Sequence, residues 1–501
     1  MAGDAELLLG IDLGTSSSKG CLVRADGEIL ATAQRPHSVS RPRPGWVEQD
    51  AEETWWGDLR ALCAELLPRA EGEPLAGVCT SGLGPCVLAT DRDGRPLRPA
   101  ILYGVDTRAA AEIVELTERY GADEILRRCG SPLSSQAVGP KLLWLRHNEP
   151  QVWERTEMFL TAASFLVNRL TGEYVLDHHT ASQSDPLYHL DENRWIEEWA
   201  HEIAPGLELP RLLWPWEVAG EVSEAAAEAT GIAAGTPVAA GTMDTWAEAA
   251  SVGLRRPGDT MIMYGTTMFL IQVLSPAEPH PHLWSTASLE PGRHNLAGGM
   301  ATSGALAAWV SDLSGEVSHE RLGDEAAELG PGADGLVVLP YFAGERSPLF
   351  DPSARGLICG LTLSHGRAHL YRAVLEGSAY GARHILEEMA AAGGGVRRGV
   401  AVGGGTRGGL WTQIVSDVTG IERQEIPKVT IGASYGDALF AARAVGLADA
   451  ETSWNRADHA IEPDPERHAA YEELYGIYRE LYPATSGQMH RLAALQIADT
   501  R

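Results

Sequence analysis

The chain has 501 residues, and 40 Lys and Arg against 68 Asp and Glu give it a formal charge of −28. That charge excludes binding to a nucleic-acid backbone or an anionic membrane surface, because both need basic side chains that displace counterions. At 44% hydrophobic and 22% charged residues the chain is ordinary globular material, and a single core rarely grows past about 250–300 residues, so two domains are expected.

In chain order, the apolar runs at 7–11 and 20–24 predict two strands joined by the turn Asp12-Leu-Gly-Thr-Ser-Ser-Ser-Lys19. Helical spacing follows over 51–67, strand-like runs at 74–80 and 86–90, and a hairpin-type turn at Asp91–Gly94. Helices are predicted at 107–120, 141–147 and 162–170, and the Trp-, Pro- and Asp-rich stretch 185–215 reads as irregular surface. A second block opens with the apolar run 237–241, then strands at 260–264 and 268–273 around Gly265-Thr266-Thr267. A strand at 336–340, a helix at 369–389 and a strand at 399–402 lead into Gly403-Gly404-Gly405-Thr406. Helices at 410–419 and 434–445 come next, and Tyr471, Leu474, Tyr475, Tyr478 and Leu481 mark an amphipathic helix in the tail.

The six cysteines form no CxxC pair and no metal-ligand spacing, which suits a reducing cytoplasm. The N-terminus is acidic, the apolar run after it is shorter than a signal-peptide core, and no stretch approaches the roughly 18–20 apolar residues of a membrane span.

The most informative feature is a repeated unit: strand, Gly-Thr-Ser/Thr turn, strand occurs twice, about 250 residues apart, as an ancient duplication would leave it. Glycine lets backbone approach a ligand closely, and consecutive N–H groups in such a turn form an anion cradle to which Thr and Ser hydroxyls add donors. Phosphate can thus be held without a basic patch. Asp12 beside the first turn reads as a Mg²⁺ ligand, since a carboxylate next to phosphates needs a divalent cation between them. Lys19, one of only three lysines with Lys141 and Lys428, can reach the same phosphates as a point charge. Asp244, after the strand at 237–241, suits two roles equally: a proton acceptor for a nucleophilic hydroxyl, or the N-cap of a following helix.

Gly356-Leu-Ile-Cys-Gly-Leu361, seven residues, then His369-Leu-Tyr-Arg-Ala-Val-Leu-Glu376 resembles the second signature of the FGGY carbohydrate kinase family, and Lys141-Leu-Leu-Trp144 resembles the core of the first. Pro44–Asp50, Leu97–Leu102, Pro340–Pro348 and the aromatic tail look like the xylulose kinase-like branch, so the resemblance spans the chain. It implies two actin-like (ribonuclease H-like) α/β domains with mixed sheets flanked by helices and a cleft between them. It implies an N-terminal sugar-side domain over 1–247, a C-terminal nucleotide-side domain over 248–446 and a helical tail over 447–501. By the same resemblance the cofactors are ATP and Mg²⁺, with Asp12 assisting the metal. Gly14, Thr15, Ser16 and Lys19 form the first phosphate turn, and Gly265, Thr266 and Thr267 the second. Gly304, Gly404, Gly405 and Gly409 lie near the nucleotide, and Asp244 takes the general-base position. The implied partner is a small sugar or polyol, with neither nucleic acid nor membrane; the helical tail is compatible with a homodimer.

The acceptor loop departs from the branch. Xylulose kinases carry Gln-Met-His-Gly where this chain has Leu83-Gly84-Pro85-Cys86, so a sugar-contacting histidine is absent. The next segment, Tyr103-Gly-Val-Asp106-Thr-Arg108, replaces Trp-Asn-Asp-x-Arg and is one residue longer. Gly84, Pro85, Asp106, Arg108 and Trp246 are the candidate substrate contacts. The expected activity is phosphorylation of a hydroxyl of a pentulose-like sugar or polyol; D-xylulose itself is one alternative, and an actin-like ATP-binding regulator without sugar transfer is another.

Overall fold

The computed structural model describes residues 6–275 and 279–498. Packing gathers the chain into two units: one through Arg255 with Ser285–His294 and Ile431–Asn455, the other of Arg256–Trp284, Asn295–Thr430 and Arg456–Arg501.

In the first unit, β1 (Leu7–Leu13), β2 (Ser17–Arg24), β3 (Ile29–Pro36), β4 (Leu75–Gly82), β5 (Val218–Glu221), β6 (Pro237–Ala239) and β7 (Thr242–Met243) form one mixed sheet, with β7 beside β4 and the rest in the order β5-β6-β4-β1-β2-β3. β1 runs parallel to β4 and antiparallel to β2. Every residue of β1 is buried, as expected of a central strand covered on both faces. Its alternation sends Leu9, Ile11 and Leu13 into a core with Trp55, Leu59, Leu62 and Phe165. The other face meets the helix Ala433–Ala444, and here side-chain size is decisive. A Cβ on Gly10 would lie 2.0 Å from the Ser434 carbonyl oxygen, and one on Gly436 would lie 1.8 Å from that of Ala247. Two glycines therefore let this helix wedge between β1 and the helix Asp244–Ser251. The expected nucleotide-side domain, 248–446, includes this helix, which packs within the first unit.

In the second unit, β8 (Asp259–Tyr264), β9 (Met268–Leu274), β10 (His294–Gly299), β11 (Arg398–Val402), β12 (Gln424–Pro427) and β13 (Ala457–Ile461) take the order β13-β12-β11-β8-β9-β10. β8 pairs antiparallel with β9 and parallel with β11, repeating the relation of β1 to β2 and β4. The edge strand is antiparallel in both sheets. The duplication read from the two turns thus extends to the order of four strands, β4-β1-β2-β3 against β11-β8-β9-β10; in the outer pair the chain order is exchanged, β5-β6 against β13-β12. The core here gathers Ile262, Leu270, Val338, Tyr380, Val415, Tyr471 and Tyr478.

The elements differ from expectation where tertiary packing overrides local pattern. Segment 185–215 contains the helix Glu197–Ile203 and places Trp195, Trp199 and Ile203 in a core. The helices Gly304–Leu313 and His319–Ala327 lack a prediction, and the tail helix runs Pro465–Ala498, on through Pro483. No helix among the described residues is long and apolar enough to cross a membrane.

The Gly10 contact is testable. Gly10→Ala must displace the helix Ala433–Ala444 and is expected to lower stability by about 1–3 kcal/mol in thermal denaturation, the usual range for overpacking. Gly323→Ala, in a helix with open space around its Cα, is expected to raise it by about 0.5–1 kcal/mol.

Candidate active site

Sheet register aligns the first half of the site. Asp12 on β1 pairs with Lys19 on β2 and Ser81 on β4, and Ser81 pairs with Thr242 on β7. Lys19, Asp12, Ser81 and Thr242 thus form one row across four strands. Two residues past the row Asp244 opens its helix, at the carboxyl end of a parallel strand, where α/β sheets bind ligands.

Asp244 is not the N-cap of its helix; that position is Met243, and Asp244 is the first helical residue. Its Oδ1 accepts hydrogen bonds from the Thr245 N–H at 2.7 Å and the Thr245 hydroxyl at 3.2 Å. Its Oδ2 has no hydrogen-bond partner among the described residues. Burial pushes the Asp244 carboxyl up to about 6, against the pull of the Thr245 donors and Lys19. Burial and then the Asp244 charge push Asp12 up to about 8, and burial pushes Glu248, one helical turn from Asp244, up to about 7. Lys19 draws all three back down and is the cation they share. Beneath them the Ser81 hydroxyl donates to Asp437 Oδ2 at 2.7 Å and lies 3.4 Å from Asp12 Oδ1. Asp437 is fully buried, which drives it strongly toward its neutral form.

The first Gly-Thr turn is braced from behind. The Gly14 N–H donates to the Ser17 carbonyl at 3.1 Å, while the N–H groups of Thr15 and Ser16 have no partner among the described residues. His37 reaches the Gly14 carbonyl through Nε2 at 2.9 Å and Asp58 through Nδ1 at 2.8 Å. Both partners are acceptors, so the ring serves best doubly protonated. Burial opposes that charge, but Asp58 and the Gly14 carbonyl raise the His37 pKa. Gln49 donates to the Thr15 carbonyl at 3.1 Å, and the Tyr103 hydroxyl meets the Thr15 hydroxyl at 2.7 Å.

In the second unit the turn between β8 and β9 has the same form. The Gly265 N–H donates to the Thr267 carbonyl at 3.1 Å, and the N–H groups of Thr266 and Thr267 have no partner among the described residues. Gly304, first in its helix, donates to the Gly265 carbonyl at 3.0 Å, where a Cβ would come within 2.4 Å. Met263 pairs with Val402, which brings Gly403 against Tyr264, and a Cβ on Gly405 would lie 2.5 Å from the Trp411 ring. Gly409, at φ 76°, caps the helix Leu410–Thr419. Gly265, Thr266, Thr267, Gly304, Gly404, Gly405 and Gly409 thus collect at one end of this sheet.

The substrate-side candidates divide. Gly84 lies against Met243, where a Cβ would meet the sulfur at 2.8 Å, so the Gly84-Pro85 loop sits beside Asp244. Asp106 and Arg108 instead share an internal ion pair, their side chains 0% exposed. Arg108 also pairs with Glu48 at 2.8 Å and lies 4.0 Å over the Trp46 ring. All its donors are turned inward, so these two hold the 103–108 segment in place. Trp246 is 4% exposed and stacks on the His179 ring at 3.9 Å.

Among the described residues no three Asp, Glu, His or Cys side chains converge as a metal cage. The donor set still fits Mg²⁺, which takes one or two carboxylates and fills its octahedron with water and phosphate oxygens. Asp12 is a buried carboxylate crowded by Asp244 and Glu248, and a divalent cation would relieve that repulsion.

Family models for the N-terminal and C-terminal domains of the FGGY family of carbohydrate kinases match residues 7–253 and 260–445. The chain belongs to this family. It is 30% identical to a xylulose kinase of Escherichia coli, over 95% of this chain and 98% of that protein. It is 31% identical to a glycerol kinase of Nocardia farcinica, over 89% and 92%. The crystal structure of a xylulose kinase from Rhodospirillum rubrum superposes with a TM-score of 0.89 at 33% identity, covering 97% of this chain and all of that one. The protein is therefore a carbohydrate kinase that uses ATP to phosphorylate a small sugar or polyol, on the two-domain mixed α/β actin-like fold of this family.

The second signature motif serves mainly the fold of this kinase. Arg372 donates to Glu376 at 2.7 Å, Glu376 accepts from Tyr471 at 2.9 Å, and Arg372 reaches the Tyr471 hydroxyl at 3.0 Å, a buried knot between the long helix Arg367–Ala391 and the tail. Sequence reasoning missed Glu248, Asp437, His37 and Ser81. Two left a signal: Glu248 is four residues from Asp244 on a helix, and Asp437 is an acid inside the apolar run 433–442.

The raised Asp244 pKa has a direct consequence for rate. A base works only unprotonated, so with Asp244 read as the base, acceptor-dependent kcat/KM is expected to fall as pH drops through about 6. Removing the Lys19 charge takes away a term that lowers this pKa. Lys19→Met is expected to move the acidic limb to higher pH and to weaken ATP use, both read from pH–rate profiles.

Proposed function

We propose that this kinase transfers the γ-phosphoryl group of ATP to a hydroxyl of a neutral, pentulose-like sugar or polyol, with Asp244 as general base. The observation that carries this reading is the unpartnered Asp244 Oδ2 at the end of the Lys19–Asp12–Ser81–Thr242 row. In the reaction the acceptor O–H proton passes to Asp244 Oδ2. A bond forms between the acceptor oxygen and the γ-phosphorus, and the bond from phosphorus to the bridging oxygen breaks to leave ADP. The Thr245 donors fix the carboxylate so that Oδ2 alone takes the proton.

Phosphates would be held by the free N–H groups of Thr15 and Ser16 in one turn and of Thr266 and Thr267 in the other, with Lys19 as a point charge. Asp12 would hold Mg²⁺, directly or through water, and the ion supplies charge neutralisation on the phosphate oxygens. Gly304, Gly404, Gly405 and Gly409 would lie along the nucleotide, where absent side chains permit close backbone approach. Six free cysteines, five of them buried, support a reducing compartment such as the cytoplasm.

Acceptor chemistry follows from charge and from the loop at 83–86. Asp12, Asp244 and Glu248 share one Lys19, which disfavours an anionic acceptor such as a sugar acid. The loop Leu83-Gly84-Pro85-Cys86 brings no histidine or amide to a hydroxyl, so its selection rests on shape and backbone. Relatives named for xylulose and for glycerol kinases support the range from pentulose to polyol.

Asp244→Asn is expected to cut acceptor-stimulated ADP formation by about 10²–10⁴-fold, with ATP affinity by calorimetry unchanged. Unchanged turnover would remove Asp244 from the mechanism. In a screen of neutral ketoses, alditols and aldonates with product mapping, neutral acceptors should lead; an aldonate as best acceptor would contradict the charge argument.

A further inference from the structure

Lys141 is 1% exposed, and nothing in the phosphoryl-transfer scheme uses it. Its ammonium donates to the carbonyls of Ser135 at 2.5 Å, Gln136 at 3.3 Å and Ala137 at 3.3 Å, gathering three successive peptides at the start of the helix Val138–Asn148. The gathered segment holds another one in turn. Gln136 Oε1 accepts the Gly104 N–H at 2.9 Å, and the Ser135 hydroxyl donates to the Gly104 carbonyl at 2.8 Å. Both sides of one peptide position are thereby clamped at close range: a Cβ on Gly104 would lie 2.9–3.1 Å from the Gln136 amide. Tyr103, next in the chain, meets the Thr15 hydroxyl at 2.7 Å in the first Gly-Thr turn. A cavity of about 120 Å³ opens against these segments, lined by Asp106, Thr107, Ile113, Ser134, Ser135 and Lys141, so they have room to move once released.

We propose that Lys141 is a positioning residue for acceptor binding: its ammonium gathers the 135–137 carbonyls and through Gln136 and Ser135 fixes Gly104 and Tyr103 beside Thr15. The proposal rests on the reading that the acceptor binds at the first unit. Chemistry explains why lysine stands here in a chain whose other cations are almost all arginine. Three carbonyls converging on one point match a compact ammonium with three donors, whereas a planar guanidinium presents its donors in a fork. Burial also pulls the Lys141 pKa down to about 8, although Cys86 and Asp106 draw it up. The groups that face it are Cys86, whose thiol burial pushes up to about 12, and the Asp106–Arg108 pair. As pH rises through about 8 the amine loses its charge and one of its three donors, and the clamp weakens.

Three variants and two readouts test this. Lys141→Met is expected to raise the acceptor KM about tenfold or more, and by clearly more than it raises the ATP KM, as loss of a charge-assisted hydrogen-bonding group predicts. Gln136→Ala, which leaves the buried charge in place, should shift the same KM in the same direction, and Lys141→Arg should fail to restore it. Wild-type acceptor kcat/KM should fall as pH rises through about 8, and Lys141→Met should lack that limb. Amide hydrogen exchange reads the clamp without any substrate: in Lys141→Met, residues 103–107 and 134–140 should exchange faster while 7–24 do not. An unchanged acceptor KM in both Lys141→Met and Gln136→Ala would overturn the proposal, as would an equal rise in both KM values with a lowered melting temperature. If wild-type protein forms no ADP with any acceptor, the acceptor reading fails instead, and unaltered exchange at 103–107 would separately refute the clamp.

Discussion

The first unit depends on how closely one helix approaches one strand. The helix Ala433–Ala444 presses on β1 where Gly10 has no side chain, and on the helix Asp244–Ser251 where its own Gly436 has none. No larger residue fits either position, because the groups met are backbone carbonyls that cannot move aside. This approach buries Asp437 under Ser81 and closes the floor of the Asp12 and Asp244 site. Dry surroundings are what raise these carboxyls above their ordinary range. A steric constraint at two glycines therefore sets the electrostatics that a proton-accepting carboxylate needs.

The same packing distributes roles among neighbouring acids. Asp437 is fully enclosed and held by Ser81; Asp12 is buried and shares that serine more weakly; Asp244 and Glu248 still reach solvent. Identical chemical groups thus meet graded environments within one face of a sheet. Asp244 keeps one oxygen without a partner among the described residues and stands at the strand end, which suits a base. The group set deeper beside the phosphate turn is Asp12, which suits a metal.

Much of the fold was legible because local and global signals agreed. The alternating or continuous apolar runs of β1, β8 and β11 had glycine-rich stops, and both Gly-Thr turns stood out as a pair. The family resemblance added the architecture. What stayed hidden was set by packing between distant segments. The run 185–215 looks like surface, yet Trp195 and Trp199 are core. Asp106 and Arg108 look like ligand contacts, and only the tertiary structure brings Glu48 and Trp46 to enclose them. His37 lies beyond any local pattern, since the glycine it braces is 23 residues away. The register that aligns Lys19, Asp12, Ser81 and Thr242 needs three strand pairings, none of which periodicity alone specifies.

Net charge and local charge part company in this chain. At −28 the protein repels extended polyanions, and its acids also crowd the site where a triphosphate should bind. Backbone resolves the conflict. N–H groups left free in two tight turns are fixed dipoles that carry no net charge and need no counterion. His37 adds positive potential behind the first turn while staying paired with Asp58, and Lys19 answers three carboxylates at once. With so few local cations, anionic groups without a divalent ion are unwelcome. On the proposed reading, the site would take phosphate in company with a metal and would favour a neutral acceptor over a charged one. Selectivity among neutral acceptors then falls to the shape of loops, and loop shape at 103–107 is held by a clamp whose centre is one buried ammonium.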